Sequence, residues 1–187
     1  MSRPVVFFID YENVRYTPKH AFGCEPIDVS PIKLAQLIVA RRKFASHIDQ
    51  VRVYRGIARA DVGDRRASSD MIRVNRWKRD VRVMPITRPL QYSWQDGLRT
   101  SFEKGIDVAL AVDLIRLAHS SANVDAVVVS RDSDLNPALE AFVESDYLGR
   151  RIEVVSCKKM ERLRLWNSNK PWCHYLTRED FELIRED

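Results

Sequence analysis

Short apolar runs alternate with helical patterns along this chain. Residues 5–9 and 125–130 are almost uninterrupted apolar runs, which is typical of strands buried on both faces at the centre of a parallel sheet. Three more strands are predicted at residues 51–58, 81–87 and 151–156. Pro85 favours an edge position for the third strand, because proline cannot donate a hydrogen bond to a neighbouring strand.

Helical patterns fall between these strands. Ser30 and Pro31 predict a helix start, since a capping hydroxyl and a proline at the first helical position both favour one. Helices are predicted at residues 31–44, 64–80, 104–119, 136–147 and after Thr177, and loops at residues 16–29 and 88–102. The alternation predicts an α/β fold with three layers, in which helices cover both faces of a mostly parallel sheet of five or six strands.

Composition indicates a soluble globular domain. The 187 residues suit a single domain over residues 1–187. Apolar runs are too short for a membrane span or a signal peptide, so we expect a cytoplasmic protein without a membrane partner. Cys24, Cys157 and Cys173 lack the spacing of a zinc site and are expected to be free thiols in a reducing cytosol.

Carboxylates follow the two strands with the most buried pattern. Asp10 ends the first strand, and Asp132 and Asp134 follow the fourth. Because ligands of open α/β sheets bind beyond the carboxyl ends of the strands, where the strand order reverses, these residues are expected to meet. Asp107 lies on the apolar face of a predicted helix, where a carboxylate is costly unless it is paired or binds a cation.

Four carboxylates at one edge of the sheet predict a site for one or two Mg²⁺ or Mn²⁺ ions, since oxygen ligands favour hard cations. Such ions activate water and stabilise charge during phosphodiester hydrolysis, which predicts a metal-dependent nuclease. The structural alternative is that Asp10, Asp132 and Asp134 cap the helices that follow them, and that Asp107 pairs with Lys104 or with an arginine elsewhere in the chain. Asp113, at the polar margin of its helix, is expected to be solvated or salt-bridged.

Three motifs resemble the NYN domain family. The segment FFIDYENV at residues 7–14 resembles the opening strand of these domains, and KGIDVALAVD at residues 104–113 resembles a helix. The segment VVSRDSDL at residues 128–135 is similar to an acidic turn of the family. The motifs follow the family's order and indicate a core at about residues 4–156, with residues 157–187 as a C-terminal extension.

The resemblance implies a PIN-like fold, related to the flap-endonuclease superfamily, with sheet order 3-2-1-4-5 and metal-dependent ribonuclease activity. It assigns the family's acidic residues and matching polar positions to Asp10, Asp107, Asp132, Asp134, Asn13 and Asp113. Arg131 departs from the family, which often has glycine there. A cation at this position would either contact substrate phosphate or weaken metal binding.

Cations and aromatic rings are expected to bind the substrate. The net charge is +5, so the chain without the four site aspartates carries +9. This positive charge is needed because a polyanion would otherwise be repelled by the acidic centre. The candidates are Arg88, Arg131, Lys158 and Lys159, with Tyr92 and Trp94 to stack on unpaired bases. Asn13 and Ser130 would orient ligands, and Lys104 would offset charge. RNA is favoured over DNA as the substrate.

Two other classes of function share parts of this pattern. A non-catalytic nucleic-acid-binding or scaffold domain would keep the fold, but it has no use for the carboxylates. A phosphatase or phosphotransferase usually shows D-x-D-x-T after the first strand, where this chain has DYEN, and no nucleotide-binding glycine motif is present. An exposed sheet edge or the region of Trp166 and Trp172 would allow a homodimer, although no feature requires one.

Overall fold

The computed structural model describes residues 2–96, 98–146, 148–165 and 171–186. In chain order its strands and helices are β1 (Arg3–Asp10), α1 (Tyr11–Phe22), α2 (Pro31–Arg41), β2 (Ser46–Ile57), α3 (Arg66–Trp77), β3 (Val83–Pro89), β4 (Gln91–Gln95), β5 (Leu98–Phe102), α4 (Ile106–Ala118), β6 (Asp125–Val129), α5 (Asn136–Glu144), β7 (Ile152–Cys157), β8 (Trp172–Leu176) and α6 (Arg178–Leu183). Trp166, which the sequence offered for a dimer surface, lies outside the described residues.

Six strands form a parallel sheet in the order β3-β2-β1-β6-β7-β8. The strand order reverses between β1 and β6, the two strands with the longest apolar runs, which confirms that they are central. The five predicted strands keep the predicted order, and β8 adds a sixth strand beyond β7. The α/β prediction is therefore confirmed, and Pro85 does lie on an edge strand.

Alternation along β1 supplies both apolar layers of the core. Phe7 belongs to the cluster that α1, α2 and α3 cover, whereas Phe8 belongs to the cluster under α4 and α5. Successive side chains of a strand point to opposite faces, so an uninterrupted apolar run fills both layers. Burying one such ring stabilises the fold by about 2–3 kcal/mol.

The predicted loop at residues 16–29 is wrong over its first half, because α1 continues through Phe22. Pro18 lies inside this helix, where proline usually breaks helical structure. Its cost is offset because Tyr11 and Val14 pack in the core beneath the helix and Pro18 itself is buried. The helix ends at Gly23, whose left-handed φ of 69° lets its N–H donate to the Lys19 carbonyl.

The predicted loop at residues 88–102 is also wrong, because β4 and β5 pair as an antiparallel hairpin. Leu90 anchors the base of the hairpin: its side chain packs on Ala58 and Ala67, and its N–H donates to the Ile57 carbonyl. The sequence signal is the dipeptide Asp96-Gly97, since Asp-Gly favours tight hairpin turns. Asp96 has the left-handed φ of 51° that such turns use.

Two global features of the described ranges complete the fold. Cys24, Cys157 and Cys173 form no disulfide, and Cys157 and Cys173 are buried. Among the helices that the structure describes, none combines the length and apolarity needed to cross a bilayer.

Candidate active site

Asp10 ends β1 and starts α1. Its Oδ1 accepts a hydrogen bond from the Asn13 backbone N–H at 3.3 Å, and its Oδ2 accepts one from the Ser130 hydroxyl at 2.9 Å. The second bond joins the ends of β1 and β6, where the strand order reverses. Burial raises the pKa of Asp10 from 3.8 to about 6, the two hydrogen bonds oppose that rise, and the charges of Asp132 and Glu12 add to it.

Residues 130–134, which follow β6 and are called the acidic turn below, are held by hydrogen bonds to their own side chains. The Ser130 hydroxyl also accepts from the Asp132 N–H at 3.1 Å, and Asp132 Oδ1 accepts from the Asp134 N–H at 3.0 Å. Asp132 therefore caps the short 3-10 helix Ser133–Leu135, as the structural alternative predicts. Capping does not exclude a ligand role, since Asp132 Oδ2 takes no part in the cap and the Asp134 side chain is exposed.

Asp107 lies in the first turn of α4. The helix begins after Gly105, whose φ of 72° is left-handed, and it buries Ile106, Leu110 and Leu114. Asp107 is half-buried at the margin of that face. Within the described residues its carboxylate has no hydrogen-bond or ion-pair partner, so the pairing with Lys104 that the sequence allowed is not formed.

Asp113 is engaged in the packing of α4. Its Oδ2 accepts from the Tyr54 hydroxyl at 3.0 Å, and its Oδ1 pairs with Arg116 Nη1 at 3.1 Å. The structure therefore confirms the prediction that Asp113 is solvated or salt-bridged, since it forms a salt bridge. Tyr54 stands opposite Asp10 in the β1–β2 register, so Asp113 fixes a ring that borders the site.

Asn13 and Arg131 hold α1 against the acidic turn. Asn13 Oδ1 accepts from the Arg131 backbone N–H at 3.2 Å, and Arg131 Nε donates to the Thr17 hydroxyl at 3.2 Å. Desolvation lowers the pKa of the Arg131 guanidinium, while the charge of Asp10 opposes the decrease. Arg131 thus lies along α1 as a half-buried packing residue.

Glu103 is a residue that sequence reasoning missed. Its Oε1 accepts from the Gly56 backbone N–H, which ties the end of the hairpin to β2. Burial raises the pKa of Glu103 from 4.5 to about 7, and the charges of Glu12 and Asp10 add to the rise. Glu103 directly precedes the Lys104 motif, but only docking of the hairpin brings it to the site.

The predicted substrate contacts divide between structural and exposed roles. The Tyr92 hydroxyl accepts from the Arg59 N–H and donates to Asp64, each at 2.9 Å, so this ring braces the hairpin. Arg88 is exposed and stands opposite Gly56 in the β2–β3 register. The remaining candidates are exposed at different ends of elements: Trp94 on β4, Lys104 before α4, and Lys158 and Lys159 after β7.

The candidate ligands are carboxylate oxygens, which is the ligand type that hard cations prefer. The negative charges of Asp132 and Glu12 add to the rise in the pKa of Asp10, and those of Glu12 and Asp10 add to the rise in the pKa of Glu103. Mutual repulsion among carboxylates is what a bound cation relieves. Within the described residues, no three acidic, histidine or cysteine side chains stand close enough to hold a metal ion as they are placed.

Gly56 leaves the space that Glu103 and Leu90 occupy. A Cβ at this position would lie 2.5 Å from Leu90 Cδ2 and 2.7 Å from Glu103 Cγ. We expect Gly56→Ala to displace the hairpin and to lower the free energy of unfolding by about 1–3 kcal/mol in urea denaturation. Ser68→Ala, at an exposed position of α3, is the control and should change stability by less than about 0.5 kcal/mol. Equal stability of the Gly56 variant and wild type would contradict the close packing.

Comparisons with known proteins agree with the motifs and the fold. The family model described as the NYN domain matches residues 4–165. No curated protein matches the chain. The crystal structure of a protein of unknown function, VPA0982 from Vibrio parahaemolyticus, is similar with a TM-score of 0.53 at 17% identity, over 83% of this chain and 82% of that one. That likeness shows the fold. NYN domains are PIN-like nuclease domains, and this chain belongs to the NYN domain family.

Proposed function

We propose that this NYN domain is a metal-dependent ribonuclease that hydrolyses phosphodiester bonds of single-stranded or structured RNA. The observation that carries the proposal is the position of the Asp10 carboxylate at the reversal of strand order, where it is desolvated and accepts a hydrogen bond from Ser130 at 2.9 Å across the ends of β1 and β6. A scaffold domain gains nothing from a carboxylate that costs folding free energy, whereas an active site often carries one.

The four aspartates of the motifs would hold one or two Mg²⁺ or Mn²⁺ ions: Asp10, Asp107, Asp132 and Asp134. A bound divalent ion supplies positive charge beside a phosphodiester and lowers the pKa of a coordinated water. The Ser130 hydroxyl donates to the Asp10 carboxylate and accepts from the Asp132 backbone N–H, which supports a shared site for Asp10 and the turn after β6.

The surrounding residues position this edge. Ser130 orients Asp10 Oδ2, and Asn13 Oδ1 accepts from the Arg131 backbone N–H. These two bonds fix the distance between the start of α1 and the acidic turn. Lys104 and Arg88, both exposed beside the ends of their elements, would balance the negative charge of a bound strand.

Cleavage of labelled single-stranded RNA, with single-stranded DNA alongside, tests the proposal in Mg²⁺, Mn²⁺ and EDTA. We expect RNA to be cut in either metal and not in EDTA, and Asp107→Asn, Asp132→Asn and Asp134→Asn each to lose activity. Metal-independent cleavage would reject the metal role. Salt-sensitive binding without cleavage of either strand would instead identify a non-catalytic nucleic-acid-binding domain.

Ser130→Ala should reduce cleavage by roughly 10- to 100-fold, because residues that orient metal ligands typically contribute that much. The buried hydroxyl holds both Asp10 and the Asp132 N–H, whereas Ser133 in the same turn is exposed. Ser133→Ala is therefore the matched control. Rates at saturating metal and substrate measure the effect, and wild-type rates in Ser130→Ala would show that its hydroxyl is dispensable.

A further inference from the structure

A cleft with a volume of about 330 Å³ opens beside the acidic site. It lies between α1, the end of β2, α3 and the end of β5, and this volume suits a small ligand such as one nucleotide. Four arginines and two aromatic residues line it: Arg15, Arg55, Arg66, Arg73, Tyr16 and Phe102. Building on the proposed nuclease function, we infer that this cleft binds one nucleotide of single-stranded RNA, with its phosphate against Arg55 and Arg66 and its base against Tyr16 and Phe102.

Arg55 supplies donors that lack acceptors. Its side chain is 8% exposed, and its Nη2 donates to Asp70 at 2.9 Å. Its Nε and Nη1 have no hydrogen-bond acceptor, although Nε lies 3.2 Å from Glu12 Oε1 as an ion pair. Buried donors of this kind cost free energy until an acceptor arrives. A phosphate oxygen that enters with a small shift of Glu12 would give the planar guanidinium the partner that it lacks.

The acidic residues of the cleft are already engaged. Asp70 accepts from Arg55 and from the Ala58 N–H, and Glu12 pairs with Arg15 and Arg55. Glu103 accepts from the Gly56 N–H. The lining itself holds three carboxylates and four guanidinium groups. Arg15, Arg66 and Arg73 also pair with carboxylates outside the lining, namely Asp28, Asp64 and Glu186. The donors left for an anionic ligand are therefore chiefly those of Arg55.

The two aromatic residues of the cleft are partly exposed, and the Arg15 guanidinium lies over the Tyr16 ring, 5.1 Å from its centroid. Tyr16 is 36% exposed and Phe102 is 49% exposed, although large rings usually add to the core. Unpaired bases stack on such rings with little dependence on sequence. Tyr16 and Phe102 project from different elements, α1 and β5, into the same cleft.

The cleft adjoins the carboxylates. Glu12 and Glu103 line it, and both are coupled electrostatically to Asp10. A nucleotide held there would place its neighbouring phosphodiester at the acidic edge. The cleft lies on the β2 side of β1. Arg131, Lys158 and Lys159, which the sequence predicted as contacts, follow β6 and β7 on the other side of β1.

Fluorescence anisotropy with a labelled oligouridine in EDTA measures binding without cleavage. Phe102→Ala and Tyr16→Ala should each raise Kd by roughly 5- to 100-fold, as removal of one stacking ring does. Arg66→Gln should weaken binding and reduce the slope of log Kd against log salt by about 0.7, whereas the aromatic variants should leave that slope unchanged. Phe44→Ala and Arg185→Gln are controls with similar exposure away from the cleft, and both should bind as wild type.

Separate outcomes test the cleft and the nuclease. Wild-type Kd in Phe102→Ala and Arg66→Gln, or weakening by Trp94→Ala alone, would overturn the cleft assignment even if RNA is cleaved. Weaker binding in the cleft variants, without cleavage by wild type in any metal, would retain the cleft and reject the nuclease proposal. No binding of oligouridine by wild type would overturn the cleft assignment directly.

Discussion

Asp10→Asn is expected to reduce RNA cleavage by roughly 10³-fold or more and, at the same time, to raise the free energy of unfolding at neutral pH. The activity falls because an amide removes the charge that the end of β1 contributes to the ion site. The fold gains because Asn keeps the cap on α1 without a desolvated negative charge. A residue that lowers the free energy of unfolding but is needed for activity is typical of a functional site.

The size and pH dependence of the gain follow from the pKa of Asp10. Folding raises this pKa from 3.8 to about 6, so the folded state binds the proton more tightly than the unfolded state. Wild type therefore loses stability as the pH rises from about 4 to about 6, and the whole penalty is present at pH 7. We expect Asp10→Asn to be more stable by about 1–3 kcal/mol at pH 7, with little difference below pH 4.

Urea denaturation of wild type and Asp10→Asn at both pH values measures this difference, alongside the cleavage assay. Asp134→Asn is the control, because its carboxylate is exposed and should affect activity without changing stability. Lower stability of Asp10→Asn at pH 7 would mean that the carboxylate serves only as a helix cap. Undiminished cleavage by this variant would remove Asp10 from the catalytic set.

The sheet was predictable because its central strands carry their own signal. The uninterrupted runs that end at Asp10 and Ser130 are buried on both faces, and parallel strands of this kind belong at the centre. The strand order then puts their carboxyl ends side by side. Local chemistry therefore predicted both the architecture and the pairing of Asp10 with the acidic turn.

The errors arose where tertiary contacts decide the structure. Pro18 lies inside a helix because α1 is held against the sheet, which no local propensity reveals. The β4–β5 hairpin and β8 are short strands that gain stability only from the surfaces they meet. Glu103 reaches the site through docking of the hairpin, and Arg55 on β2 meets Glu12 of α1 and Asp70 of α3, so the cleft could not be derived from spacing along the chain.

Arg42→Ala, at the opposite edge of the sheet, is expected to cause the largest loss of stability. The Arg42 side chain is fully buried and pairs with Asp125 at 2.6 Å and with Glu153 at 2.7 Å. Burial alone would raise the pKa of Glu153, but hydrogen bonds from His174 and Arg42 hold it below its usual range. Removing the guanidinium leaves two buried carboxylates short of a partner, which typically costs about 3–5 kcal/mol.

That loss is a large share of the 5–15 kcal/mol that stabilises a typical domain, so the variant should unfold at markedly lower urea concentration. The difference from wild type should be smaller at about pH 4 than at pH 7, because buried carboxylates that lose a cation take up protons more readily. Arg185→Ala removes an exposed ion pair with Glu182 and should cost less than about 1 kcal/mol. A similarly small effect of Arg42→Ala would show that water replaces the guanidinium at this site.

Among the described residues, carboxylates are paired with arginines at the amino end of β6, but not at the carboxyl ends of β1 and β6. At the amino end of β6, Asp125 is satisfied by Arg42 and Arg3, and this network joins α2 to β6, β7 and β8. At the carboxyl ends of β1 and β6, Asp10 has a raised pKa and Asp107, on the neighbouring α4, has no partner among the described residues. We therefore expect the rate of RNA cleavage per folded molecule to be unchanged in Arg42→Ala below its unfolding transition. A lower rate per folded molecule would mean that the two edges are coupled through the strands.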